Sequence, residues 1–353
     1  MNIYKRKDGR YEGRIKTPED HGYISFYGKS YEETERKIKE YIDNLISMTP
    51  PSGMTVKKLF EEWINAISVQ VKESTLANYR MRIKSHIIPV FGNINTDDLN
   101  TRQIQEFITE KLSYGLSSSY VADIIGALKS MFRFGTRQYG IANPLLDIIL
   151  PPKKKPQIQL LTNSQQTQLK QYLSINNSLV AVGIALPLFT GLRLGEVCAL
   201  KWSDINLNNK TLTVNRTIQR IHDSTEKVTK LVISSPKSVS SQRIIPLPDC
   251  IVNMLKKHES DRECYLLSGT NKPVEPRIMQ YRFQAVLKKK NLPSIHFHAL
   301  RHMFATNCIE LGFDIKLLSE ILGHASVEVT LNRYVHSSFE RKISFMQKLS
   351  LSI

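Results

Sequence analysis

The chain has 353 residues, enough for two or three domains. Lys and Arg number 49 against 32 Asp and Glu, a formal charge of +17; such an excess in a soluble protein points to a polyanion, nucleic acid first among them. Cys198, Cys250, Cys264 and Cys308 lie without C-x-x-C spacing, which argues against a disulfide frame and leaves reduced, mostly packed thiols. The start M-N-I-Y-K-R-K-D-G-R is too polar for a signal peptide, and no apolar run nears the roughly twenty residues that span a bilayer. No membrane association and a cytoplasmic location are expected.

The first stretch reads as a small sheet and a helix. Ile3–Arg6, Tyr11–Ile15 and Gly22–Tyr27 are strand-like, and Asp8-Gly9 between the first two signals a hairpin. Ser30 reads as the N-cap of a helix running to about Ile46, with Glu33 completing a capping box. Tyr31, Ile38, Tyr41, Ile42 and Leu45 then pack on one face of the sheet. The other face is expected to carry Lys5, Arg14, Lys16 or Lys29 with the tyrosines, and a sheet of this size fits the major groove. The alternative is a capping subdomain whose charges are only solvated.

Met48-Thr49-Pro50-Pro51-Ser52-Gly53 is a linker by composition. Helical periodicity follows: Val56, Leu59, Phe60, Trp63 and Ile67 mark one apolar face, then come Ser74–Val90, Thr101–Tyr114 and Ser118–Tyr139. Lys129, Arg133 and Arg137 stand four apart along the last helix, and Arg80, Arg82 and Lys84 form a second basic stretch. One such stripe is ordinarily solvated; two in a small helical domain of a basic chain suggest phosphate contacts. Pro151 to Pro156, with Lys153, Lys154 and Lys155, makes a stiff basic linker able to cross a DNA backbone.

The remainder is mixed. Helical patterns cover Ser164–Ser174, Ser178–Thr190 and the stretch after Arg193. Strands are expected over Thr211–Gln219, Lys227–Ser234 and Arg243–Leu247, with a polar loop Pro236–Gln242 that holds Lys237. Helices close the chain at Pro276–Lys289, His298–Leu311, Ile315–Leu322 and Ser326–Arg333. The tail Ser338–Leu351 keeps Phe339, Ile343, Phe345, Met346 and Leu349 with little left to pack on.

Chemistry gathers between Ile295 and His336. About forty residues hold His298, Arg301, His302, His324, Arg333, Tyr334 and His336. No acidic residue stands in the first cluster, so a metal site is not expected. Cationic donors beside a tyrosine suit a phosphate instead. Upstream, Arg193 opens a helical pattern in T-G-L-R-L-G-E-V-C-A-L. Two arginines on one phosphate would stabilise the added negative charge of a five-coordinate transition state. A free phenol ionises near pH 10 (roughly), so Tyr334 needs cationic neighbours or a base to act as nucleophile.

The ordered set Arg193, Lys237, His298-x-x-Arg301, His324 and Tyr334 closely resembles the tyrosine recombinase (phage integrase) family. Its blocks stand here as T-G-L-R-L-G-E, H-A-L-R-H-M-F-A-T, L-G-H-A-S and N-R-Y-V-H. The pattern Y-E-G-R-I with Y-G-K-S-Y-E-E-T resembles the arm-type DNA-binding domain of mobile-element integrases. The fold so implied is multidomain and mainly α. It has an arm-binding sheet with helix over 1–48, a helical core-binding domain over 54–150, and the basic linker 151–158. A mixed α+β catalytic domain with a C-terminal tail fills 159–353.

The resemblance also implies the reaction. Tyr334 is the nucleophile and forms a 3′-phosphotyrosyl link, and Arg193 and Arg301 hold the nonbridging oxygens. His298 helps remove the phenolic proton, Lys237 protonates the departing 5′ oxygen, and His324 donates to the phosphate and orders the pocket. Glu196 and His302 support the helices of Arg193 and His298. No metal, ATP or other cofactor is expected, since bond energy stays in the ester. The implied partners are duplex DNA attachment sites of core and arm type, three sister protomers in a tetramer docked through their tails, an excisionase and a host DNA-bending protein, at the bacterial nucleoid. A type IB topoisomerase, a chromosome-dimer resolvase and a non-catalytic DNA-binding regulator are the competing readings. The arm-like segment argues against the first two, and the intact catalytic set against the third.

Overall fold

The computed structural model describes residues 2–6, 8–16, 23–47, 53–152, 159–223, 228–235 and 241–334, with 343, 346 and 347. The chain divides into two compact units that part near residue 156. No described helix is long and apolar enough to cross a membrane.

In the first unit β1 (Asn2–Lys5), β2 (Tyr11–Lys16) and β3 (Tyr23–Gly28) form an antiparallel sheet in that order. Gly9 takes φ 85° in the expected turn, and the Arg6 N–H donates to the Arg10 carbonyl across it at 2.8 Å. Helix α1 (Tyr31–Ser47) lies on one face, with Ile38 fully buried and the Tyr41 ring 5.2 Å from Phe26. Its cap is one residue longer than predicted. Ser30 Oγ accepts from the Glu33 N–H, while the Glu33 carboxylate accepts from the Lys29 N–H rather than that of Ser30.

Strand alternation corrects one expectation about this sheet. Lys5 pairs with Tyr11, and its ammonium lies 5.8 Å from the Tyr11 ring, which itself meets Tyr31 of α1. Lys5 therefore belongs to the helix-covered side, because side chains change face at every residue. The open face carries Tyr4, Glu12, Arg14, Ser25 and Tyr27, joined by Arg6, which the sequence reading passed over.

The helical part of this unit comprises α2 (Val56–Ile67), α3 (Glu73–Arg82), α4 (Ile88–Phe91), α5 (Thr101–Ser113) and α6 (Ser118–Tyr139). Val56, Leu59, Phe60 and Trp63 are buried as the periodicity predicts, against Ile124, Leu128 and Phe132 of α6 among others. The single helix expected over Ser74–Val90 instead contains a π turn, Ile83–Ile87. Ile83, Ile87 and Phe91 are all buried at four-residue spacing. At 3.6 residues per turn that series would rotate off the core, and one wide turn corrects the drift.

The second unit is built around α8 (Leu179–Thr190), apolar on every side and buried almost throughout, as a central helix must be. Around it pack α7 (Asn163–Ile175), α9 (Leu194–Ala199), α10 (Asp249–Lys256), α11 (Pro276–Lys289) and α12 (His298–Glu310). Then come α13 (Ile315–Leu322) and α14 (Val327–Tyr334). Helix α10 was missed, since two turns starting at a proline show too little periodicity to read.

The strands differ from expectation in a second way. The run expected as one strand over Thr211–Gln219 splits into β5 (Thr211–Val214) and β6 (Thr217–Asp223). β5 pairs with β4 (Ile205–Asn206) and β8 (Arg243–Pro246), whereas β6 pairs with β7 (Val228–Ser234). Asp204 holds the corner: it accepts from Arg216 at 2.6 Å and from Asn215 at 3.3 Å. A buried acid 11 and 12 residues upstream cannot be seen from the strand's own pattern.

Candidate active site

Three of the residues singled out by motif, Arg193, Arg301 and His324, meet in the second unit, at the C-terminal end of α13. Gly323 closes that helix in the left-handed conformation (φ 64°), which leaves its last carbonyls without intrahelical partners. Three successive carbonyls are then taken by three arginines. Ile321 accepts from Arg243 Nε at 2.6 Å, Leu322 from an Arg301 terminal nitrogen at 2.8 Å, and Gly323 from Arg193 at 3.0 Å. A helix C-terminus carries partial negative charge, so cations are favoured there.

Arg301 is the deepest of the three, 2% exposed. It also donates to the carbonyl of Gly191 at 2.7 Å, where α8 ends. Two helix C-termini thus compensate a charge that could not otherwise be buried. Gly191 is required for this approach: at φ 69°, an added Cβ would lie 2.6 Å from Phe304 and 2.7 Å from Leu322.

The same Arg301 nitrogen lies 2.9 Å from His324 Nε2, and His324 Nδ1 lies 2.8 Å from Thr330 Oγ1. A guanidinium has no acceptor, so Nε2 must be the accepting nitrogen. The proton then sits on Nδ1 and is donated to Thr330, which is fully buried. In this arrangement His324 holds the guanidinium of Arg301 on one side and Thr330 on the other. Thr330 was not foreseen; a threonine four residues before the tyrosine carries no signal by itself.

Arg193 caps the start of α9 and is the more open arginine, its side chain 36% exposed. Glu196 accepts both from its backbone N–H at 2.9 Å and from its guanidinium at 2.7 Å. Glu196 is 3% exposed and also takes both arms of Arg243, at 2.9 and 3.2 Å. Burial pushes its carboxyl up, but the hydrogen bonds from Arg243 and the charges of Arg243 and Arg193 outweigh that and hold it below the usual carboxylate range. The support role expected of Glu196 therefore has a geometry, and Arg243 is the partner that sequence reasoning missed.

His298 stands at the exposed first residue of α12, its ring 4.6 Å from that of buried His302 and edge-on to it. Tyr334 ends α14, which places its backbone; its side chain and that of Arg333 are not among those described. Lys237, the linker residues Lys153, Lys154 and Lys155, and His336 lie outside the described residues, as does most of the tail, and the side chain of Lys16 is likewise not described. Burial lifts the Cys198 thiol to about 12 and that of Cys308 to about 11, so neither is a nucleophile near neutrality.

Of the basic residues expected on the first unit's helices, Lys84, Arg133 and Arg137 are exposed, and Arg80 and Lys129 are half-buried. Arg82 is tied to Asp123 at 2.9 Å, so part of its charge is already answered. Lys29 is exposed beside the α1 cap.

Residues 154–341 match the phage integrase family, and residues 55–112 match the N-terminal SAM-like domain of phage integrases. The chain belongs to the phage integrase family and is a tyrosine recombinase, an enzyme that breaks and rejoins DNA. It is 26% identical to a XerC-like tyrosine recombinase of Caldanaerobacter subterraneus subsp. tengcongensis, over 92% of this chain and 90% of that protein. It is also 26% identical to an integrase of a Staphylococcus phage, over 89% and 98% respectively. Among solved structures it resembles the Tn1549 transposon integrase in complex with transposon right end DNA. That likeness has a TM-score of 0.70 at 22% identity and covers 84% of this chain and all of that one.

Proposed function

We propose that the chain carries out conservative site-specific recombination of duplex DNA, integrating and excising the mobile element that encodes it. The observation that carries this reading is the meeting of Arg193, Arg301 and His324 at one helix end, with Arg193 more than a hundred residues upstream of the other two. Arg193 and Arg301 hold the nonbridging oxygens of a scissile phosphate, where charge grows as phosphorus becomes five-coordinate. The Tyr334 oxygen attacks phosphorus and its proton passes to His298. The bond to the 5′ oxygen breaks, and Lys237, on its loop, protonates that oxygen. The freed hydroxyl of a partner strand reverses these steps.

Exchange between two duplexes needs four strands cut, and each chain brings one Tyr334, so four chains act together. Residues 1–48 bind arm sites, 54–150 bind core sites, 151–158 cross the backbone, and 159–353 perform the chemistry. Phosphate contacts fall to Arg14, Lys16 and Lys29, to Arg80, Arg82, Lys84, Lys129, Arg133 and Arg137, and to the three linker lysines. An excisionase and a host DNA-bending protein act with it, in the bacterial cytoplasm at the nucleoid. The test is a nicked duplex carrying the element's end sequence, which traps the covalent intermediate. The wild-type chain is expected to form an adduct that survives denaturant, and Tyr334→Phe none. Equal adduct from both would overturn the nucleophile.

A further inference from the structure

Arg243 is drawn in by nothing in the motif blocks, yet four of its five N–H groups are engaged and its side chain is only 6% exposed. One fork covers both oxygens of Glu196 (2.9 and 3.2 Å). Nε reaches the Ile321 carbonyl at 2.6 Å, and a terminal nitrogen reaches the Ser241 carbonyl at 3.0 Å. Four of its donors are thus spent on protein acceptors, and its side chain is covered. What it touches, however, touches the site. Glu196 holds the guanidinium and backbone of Arg193, and two residues beyond Ile321 the Gly323 carbonyl takes the other arm of Arg193.

We propose that Arg243 is the positioning residue for Arg193: it fixes Glu196 and the end of α13 together, so that the guanidinium of Arg193 is held from both sides at one angle. Without Arg243, Glu196 is a buried carboxylate with Arg193 as its remaining fork. The pair is then free to close on itself, drawing the arginine toward the carboxylate and away from a phosphate. A planar fork is needed for this, because both carboxylate oxygens and a backbone carbonyl are bridged at once. A lysine supplies the charge but only a point contact.

This inference rests on the recombinase reading above. The test is single-turnover cleavage of the nicked duplex at saturating protein, comparing an ordinary scissile phosphate with a neutral methylphosphonate. The methylphosphonate lacks one of the charges that Arg193 would answer, so a defect that acts through Arg193 shrinks on it. Arg243→Gln is expected to slow phosphate cleavage about 100-fold, as loss of one preorganised donor does, and to slow methylphosphonate cleavage less than tenfold. Arg243→Lys should fall between, with an intact cooperative melt. Glu196→Gln combined with Arg243→Gln should be no slower than the worse single variant, because both act through one arginine.

Equal losses on the two substrates, multiplying losses in the double variant, wild-type rates in Arg243→Gln, or an unfolded Arg243→Lys would each overturn the proposal. Failure of the underlying reading looks different: there the wild-type chain itself forms no adduct, or Tyr334→Phe forms one.

Discussion

Glu12 on the N-terminal sheet and Glu196 at the start of α9 each hold two arginines, in contrasting surroundings. Glu12 accepts from Arg6 at 2.7 Å, from Arg14 at 2.8 Å and from Ser25 at 3.1 Å. Its own side chain is 2% exposed, but those of the arginines are 40% and 50% exposed, and they lie over the rings of Tyr27 and Tyr4. Glu12 is covered by its partners rather than sunk in a core, so water stays close. Glu196 holds its arginines against helix ends, where their other arms meet carbonyls. The same three-charge unit thus serves two purposes. On the sheet it presents cations outward with their stance fixed, and in the catalytic unit it locks one cation and leaves the other partly open.

The contrast can be broken from either side. The largest effect is expected inside: Arg301→Ala strands the Gly191 and Leu322 carbonyls and His324 Nε2. At about 1–3 kcal/mol for each stranded acceptor, it should cost about 3–5 kcal/mol of unfolding free energy, read by denaturant titration. Gly191→Ala forces an L residue to φ 69° and drives a Cβ into Phe304 and Leu322. About 2–4 kcal/mol is expected, with a lowered Tm as the measurement. Glu196→Gln keeps the shape but turns an amide toward two guanidiniums; about 2 kcal/mol should go, again by denaturant titration.

The smallest effect lies on the sheet and shows as a pH dependence. The hydrogen bond from Arg14, helped by those from Tyr4, Arg6 and Ser25, holds the Glu12 carboxyl down to about 2 from an ordinary 4.5. A depressed carboxyl stabilises the fold above its unfolded value and loses that stabilisation as pH falls through its folded one. The Tm difference between the wild-type chain and Glu12→Gln should therefore be constant from about a pH unit above the ordinary 4.5 and shrink steadily as pH falls toward 2. A difference as large at pH 2 as at neutral pH would mean that the carboxylate's charge is not what holds Arg6 and Arg14.

Motif order made Arg193, Arg301 and His324 legible, because each stands in a block whose neighbours have a helical or capping pattern of their own. Arg243 was not, since R-I-I-P reads as ordinary strand. Its partners Glu196 and Ile321 are 47 and 78 residues away. Lys5 was read on the wrong face because a strand's side chains reverse at every step, so one residue of phase decides the side. The corner between β5 and β6 was invisible for the reason that hid Arg243: a distant acid, Asp204, makes it. Local pattern carries helices and caps, whereas long-range charge pairing decides where the chain turns and which cations are held.

The close of α13 has a mechanical consequence. Its backbone from 321 to 323 is a common anchorage for Arg243, Arg301 and Arg193, so tilting that last turn re-aims three guanidiniums in one stroke. A shift of that turn would displace an acceptor of each arginine at once.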